Sequence, residues 1–283
     1  MKNLFCFILT AFAVCASAGT TDEPKFPSGA DTCIVKCTYK LTFKPDSLSS
    51  NTISDYHVLL IGKRLSQYTS KSSLAVDSLT NVYEAQPLNQ QTVQNFGREY
   101  IKLARPLITF NIFKDKVNSN IYFIDQLSST TYYITEPNSV FKWVIEPTIL
   151  DVSGYKCKRA TTVFAGRKYE AWFTSEIPVS DGPYKFTGLP GLIVKVRDFN
   201  DNYVFQLLKA SKISANINKI NIVMPSESKC VKTTKQEFRN GQRNYSNNRS
   251  VQSNPPGSVT INGRPSQGTN RAAPKSSNAL ELK

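Results

Sequence analysis

The sequence predicts a mainly β protein: a single domain of antiparallel, meandering strands forming a curved sheet or open barrel, with one or two short helices and a disordered C-terminal tail. Three observations predict it. From 33 to 44 apolar and polar residues alternate: Cys33, Val35, Cys37, Tyr39, Leu41 and Phe43 on one side, Ile34, Lys36, Thr38, Lys40, Thr42 and Lys44 on the other. That two-residue period belongs to a half-buried strand. Strand-length segments rich in β-branched and aromatic residues then recur at short intervals between polar turns. Helical periodicity is scarce.

Residues 1–18 read as a secretory signal. Lys2 supplies the positive start, Leu4 to Val14 an apolar stretch too short to span a bilayer, and Ala16-Ser17-Ala18 a cleavage site. Val14 before Cys15 argues against lipidation there, since that reaction wants a small residue in its place. Residues 19–29 form a linker, and 30–232 the β domain. Strands are expected at 33–44, 56–61, 64–69, 107–113, 120–125, 131–135, 141–145, 192–197, 203–207 and 213–223. One helix is expected at about 89–104, where Val93, Phe96, Tyr100 and Leu103 share a face and Gly97 weakens it. Residues 233–283, rich in Asn, Ser, Gly, Pro, Gln and Arg, form a basic low-complexity tail with too little apolar content to fold alone.

Four cysteines remain after signal removal: Cys33, Cys37, Cys157 and Cys230. In an oxidising compartment they predict two disulfides. Cys33 and Cys37, at i and i+4 of an extended strand, would lie about 13 Å apart, beyond the roughly 7 Å Cα separation a bridge tolerates. Each therefore pairs with Cys157 or Cys230. No metal is expected, because CxxC pairs are absent and His57 is the only histidine. The formal net charge is +14. In an exported protein that excess points to lipid headgroups or anionic envelope polymers rather than nucleic acid, or simply to a solvated tail. No stretch of the mature chain is apolar enough to cross a membrane.

The segment 154–197 is the most distinctive. Val163 to Tyr169 reads as a hairpin with Gly166 in the left-handed turn position. Asp181-Gly182-Pro183 is a second turn, and Leu189-Pro190-Gly191-Leu192 fits a type II turn feeding a strand. Turn chemistry explains most of this. The functional alternative makes the corner one wall of a ligand groove lined by Trp143, Trp172, Phe173, Tyr184 and Phe186.

Gly188-Leu189-Pro190-Gly191-Leu192-Ile193 resembles the motif naming the GLPGLI family of exported bacterial proteins, whose activity is not established. Gly154-Tyr-Lys-Cys157, Gly166-Arg-Lys-Tyr169, Ala171-Trp-Phe-Thr174, Glu176-Ile-Pro178 and Ser180-Asp-Gly-Pro183 look like its signature too. Asn278-Ala-Leu-Glu-Leu-Lys283 looks like a degenerate form of a terminal motif in relatives. The resemblance implies an exported protein, of a family whose genes often lie near those for outer-membrane receptors.

No catalytic residue is assigned. G-x-S-x-G, H-E-x-x-H, P-loop and Rossmann signatures are missing. His57 reads as a strand histidine satisfied by a neighbour. Glu146, Glu170, Glu176 and Asp181 could supply a carboxylate pair for a hydrolase. Asp46-Ser47-Leu48 and Asp77-Ser78-Leu79 resemble a short O-glycosylation signal. The expectation is an exported, non-catalytic binding protein without a cofactor, periplasmic, envelope-bound or secreted. It would hold an apolar or anionic ligand or an outer-membrane partner. The alternatives are a carboxylate-dependent hydrolase and an interaction protein docking through its basic tail.

Overall fold

Alternation of apolar and polar side chains is realised residue by residue in β2 (Val35–Phe43): Val35, Cys37, Tyr39 and Leu41 are buried, while Lys36, Thr38 and Lys40 between them are only half covered. The computed structural model describes residues 26–27, 29–214, 219–252 and 280–281. The signal at 1–18 and most of the linker lie outside them.

Among the described residues the elements run β1 (Asp31–Thr32), β2, β3 (Ile53–Ile61), β4 (Leu65–Ser70), α1 (Lys71–Glu84), α2 (Gln90–Tyr100), β5 (Asn111–Asp115), β6 (Asn120–Leu127) and β7 (Thr130–Pro137). They continue β8 (Val144–Val152), β9 (Tyr155–Phe164), β10 (Arg167–Thr174), β11 (Leu192–Asp198), β12 (Tyr203–Lys212), β13 (Asn221–Ile222), β14 (Val231–Lys232) and α3 (Lys235–Gln252). Twelve strands form one sheet in the order β14-β7-β6-β5-β4-β3-β2-β12-β11-β10-β9-β8, and β1 and β13 make a small separate ribbon. All neighbours in the large sheet are antiparallel except the short β14–β7 pair. The sheet does not close: β8 and β14 are its two edges. Two meanders, β2 to β7 and β8 to β12, are joined by the pairing of β12 with β2.

The β9–β10 turn forms as expected, with Ala165 at φ +48° and Gly166 at φ +83°, the two left-handed residues of a type I′ hairpin. Several expectations are corrected. Ahead of the helix expected at 89–104, here α2, stands a further one, α1, which begins directly at the end of β4, its Ser70 side chain capping the Ser73 N–H at 2.9 Å. The expected strand at 213–223 contracts to β13; residues 215–218 lie outside the described ones. The tail is not wholly without structure, for it contributes α3 and returns Leu280 and Glu281 to the sheet.

The expected cystines are not formed. All four cysteines are free thiols. A bend at Ile34 ends the extended run before Cys33, so Cys33 and Cys37 enter different apolar clusters. Cys33 shares its cluster with Cys230, and its thiol donates to the Val35 carbonyl at 3.2 Å; Cys37 shares the larger one with Cys157. Burial raises all four thiols, Cys157 to about 11, which keeps them protonated and poorly nucleophilic.

The two clusters lie on opposite faces of β3 and β4, as alternate residues show: Leu59, Ile61 and Tyr68 in the larger, Val58, Leu60 and Leu65 in the smaller. Leu74 of α1 covers the smaller cluster. The larger is filled by the chain itself.

Candidate binding site

Residues 175–191, linking β10 to β11, do not skirt the sheet but cross its larger apolar face as a plug. Asp181 anchors the crossing. Its carboxylate accepts from Lys114 Nζ of β5 at 2.7 Å, from Ser66 Oγ of β4 and from the Gly182 N–H at 2.9 Å, while its carbonyl accepts from the Ile193 N–H at 2.9 Å. Lys114 also donates to the Gly182 and Phe186 carbonyls at 2.5 and 3.0 Å, so its three protons are all used. Burial would raise the Asp181 carboxyl, but Lys114 and Lys116 hold it below its ordinary value.

The family-like motif is the far bend of this plug. Gly188 sits at φ +92°, and the Gly191 N–H donates to the Leu189 carbonyl at 2.8 Å. The bend is therefore a three-residue turn about Pro190, tighter than the expected type II turn. Gly191 is required by crowding: a Cβ there would stand 2.1 Å from the Thr174 carbonyl oxygen. Leu189, Leu192 and Ile193 are buried beneath.

The five aromatic residues expected to wall a groove do not form one. Phe186 is enclosed at the centre of the plug, its ring 4.9 Å from Tyr169 and 5.4 Å from Phe141. Trp143 packs against Phe141 and donates to the Thr187 carbonyl at 2.8 Å. Trp172 is buried and donates to Glu170 at 3.1 Å. Phe173 borders a shallow cleft with Ile149, Cys157 and Pro190. Only Tyr184 reaches the site described next.

That site lies between the end of the plug, β6 and β7, and helix α3. It is a cavity of about 210 Å³ with walls of Phe110, Phe123, Ile134, Tyr184, Phe238 and Leu280. Its polar lining is Asp125, Lys185, Lys235, Arg239, Gln242 and Glu281. Phe238 places α3 there by edge contacts with Phe123 and Tyr132. Thr234 and Glu237 fix where the helix starts: Glu237 accepts from the Thr234 N–H at 2.9 Å, and Thr234 Oγ1 from the Glu237 N–H at 3.2 Å.

The charges form a closed knot. Lys185, 2% exposed, donates to Glu136 of β7 and, at 2.6 Å, to Glu281. Lys235 bridges the same two carboxylates, 3.0 Å from Glu281 Oε2. The Tyr184 hydroxyl also donates to Glu281. Burial would raise the Glu281 carboxyl; Lys185, then Lys235 and Tyr184, hold it below its ordinary value. Burial, reinforced by Glu281, lifts the Tyr184 hydroxyl well above its ordinary range, so it stays a donor. Burial also raises Asp125.

The remaining carboxylates are engaged elsewhere. Glu146 and Glu170 share Arg159 at 2.5 and 2.8 Å, and Glu170 also binds Arg197 at 3.1 Å. Burial works against the ionised Glu170, yet Arg159, Arg197 and Trp172 hold it below its ordinary value, a state suited to ion pairing rather than to proton donation. Glu176 accepts from the Lys156 N–H at 2.8 Å. His57 is fully buried, its Nε2 3.2 Å from Asp55 and its ring stacked on Tyr68. Among the described residues no three His, Cys, Asp or Glu gather to hold a metal, and no helix is long and apolar enough to cross a membrane.

Residues 153–195 match the model of a protein family of unknown function, Porph_ging. This chain is similar to that family. The matched stretch is β9, β10, the plug and the start of β11, the part of the molecule whose turns and close contacts are most demanding. No curated protein matches significantly. Among solved structures, PNGF-II in a C2 crystal form is similar, with TM-score 0.50 and 10% identity over 76% of this chain and 33% of that one. PNGF-II in a P21 form gives 0.49 and 11% identity over 76% and 34%. The chain thus spans about a third of the length of PNGF-II, and the likeness is one of β-rich fold.

Sequence reasoning missed most of the site. Lys185, Arg239, Phe110, Phe123 and Phe238 belong to no motif, and Lys235 falls only within the Thr234–Glu237 capping box. One signal was present: Glu281, between Leu280 and Leu282, is one of only two acids in residues 233–283.

Proposed function

We propose that this is an exported binding protein of the bacterial envelope, akin to the GLPGLI family, which holds a ligand with an anionic head and an apolar body beneath α3. The observation that carries the reading is a buried ammonium group, Lys185, set with Lys235 and the Tyr184 hydroxyl at the end of an aromatic cavity. Such a combination of apolar walls and a few convergent polar groups is what small-ligand sites present. The signal-like sequence at 1–18 supports export. The surplus of Lys and Arg supports an anionic partner, whether lipid, envelope polymer or the exposed surface of an outer-membrane receptor.

The test is native mass spectrometry of protein purified from its own envelope, paired with titration of dodecanoate into the pure protein. Binding of dodecanoate, weakened about tenfold by Lys235→Ala as expected for loss of one charge-assisted contact, supports the proposal. No co-purifying ligand together with no dodecanoate binding overturns it.

A further inference from the structure

Leu280 and Glu281 meet the cavity as a bound peptide would. The Glu281 carboxylate is gripped by Tyr184, Lys185 and Lys235. The backbone is read as well. The Leu280 carbonyl accepts from the Tyr169 hydroxyl at 3.2 Å, and the Glu281 carbonyl from Arg239 Nη2 at 3.0 Å. Leu280 packs against the main apolar cluster. Side chains from β10, the plug and α3 thus address two successive carbonyls, one carboxylate and one leucine. A fatty acid or a polysaccharide has no such pair of amide carbonyls to offer.

We propose that the site is a receptor for an extended leucine–glutamate peptide segment and that Leu280–Glu281 is its resident occupant, which a partner's segment of the same kind displaces. This rests on the pocket reading above and names the ligand's class. Charge supports it. With Glu281 withdrawn, Lys185 and Lys235 keep Glu136 as their shared carboxylate, and Arg239 and Asp125 line the same cavity, so three cations stand against two acids and an incoming carboxylate restores the balance. Leu280 is part of the lining of this cavity, so its departure opens the room that an incoming leucine would fill.

The experiment uses a chain stopped after residue 276 and a fluorescent peptide with the sequence of residues 277–283. The shortened chain should bind the peptide, and the full chain should bind it at least about tenfold more weakly, because the tethered segment competes. A peptide carrying Glu281→Gln should lose about tenfold. Tyr169→Phe in the shortened chain should weaken the peptide severalfold and dodecanoate less, since only the peptide has an amide carbonyl at the Leu280 position for that hydroxyl.

Dodecanoate binding without peptide binding overturns the peptide receptor and leaves the pocket reading standing; failure of both probes ends both. Should the shortened chain lose its near-ultraviolet circular dichroism, the full-length L280S/E281Q variant takes its place. Peptide affinity no better than that of the unaltered chain then overturns the proposal.

Discussion

A methyl group added at Gly191 would stand 2.1 Å from the Thr174 carbonyl oxygen, against the Thr174–Ser175 backbone with no flexible side-chain end to yield. Gly191→Ala is therefore expected to cost about 3 kcal/mol or more in urea unfolding, within the range of severe single substitutions. Gly97→Ala in α2 meets nothing within 4 Å and should instead stabilise by up to about 1 kcal/mol. Equal effects at the two positions would show that the bend tolerates a side chain. Asp181→Asn leaves Lys114 buried without its counter-charge and should destabilise by about 3–5 kcal/mol. At this scale the sequence was half legible. Gly191 and Pro190 announced a turn, but the reason for glycine is the approach of another strand's carbonyl, which no local pattern encodes. Glu170 and Asp181 were recognised as acids worth placing. Their partners Arg159 and Lys114 lie 11 and 67 residues away, so the ion pairs emerged only with the fold.

Strands were the legible elements, because a half-buried strand writes its register into alternate residues, as β2 and β11 do. The helices were less so. Only Ser73 of α1 is buried, and its apolar Val76, Leu79 and Tyr83, at i, i+3 and i+7, were not read as a helix face. Its start is set by a serine cap. Helix α3 is strongly polar, yet Thr234-Lys-Gln-Glu237 carried a readable capping box.

Charge joins the Phe238 ring contacts in tying α3 to the sheet, and that has a pH consequence. The Glu281 carboxyl sits below its ordinary value of 4.5, so its contribution is present above pH 4.5 and is lost as pH falls through the lower folded value. Amide resonances of residues 235–242, followed by NMR, should stay constant down to pH 4.5 and move only below it. A transition centred above pH 4.5 would contradict the knot. Lys235 is raised above its ordinary 10.5 by Glu136 and Glu281 despite burial, so its share is present below pH 10.5 and disappears only above the folded value.

On the scale of the whole molecule, the open sheet leaves two unequal edges. β14 has two residues and offers little to a neighbour. β8 has nine, with Val144, Ile145, Ile149 and Leu150 exposed, and would be an adhesive template were it flat. Its pairing with β9 shifts register between Ile145 and Ile149, around Pro147, which lacks an N–H to offer. Pro147→Val should therefore increase self-association in sedimentation velocity runs without loss of fold; an unchanged monomer fraction would mean that the bulge alone protects the edge. The antiparallel meander was legible from segment spacing. The plug was not, because 175–191 reads as a string of turns and only the folded sheet reveals the face it crosses.

The seam between β2 and β12 has one more consequence, for the order of assembly. Within each meander neighbouring strands are consecutive in the chain, but this seam unites Phe43 with Tyr203. Closing so large a loop costs roughly 4–5 kcal/mol of chain entropy before any contact rewards it. Each half can gather quickly from nearby contacts, and the slow event is their zippering along a single line. Until then Tyr39 on one half and Phe205 on the other are covered only from within their own half, which leaves apolar surface open to aggregation during that interval.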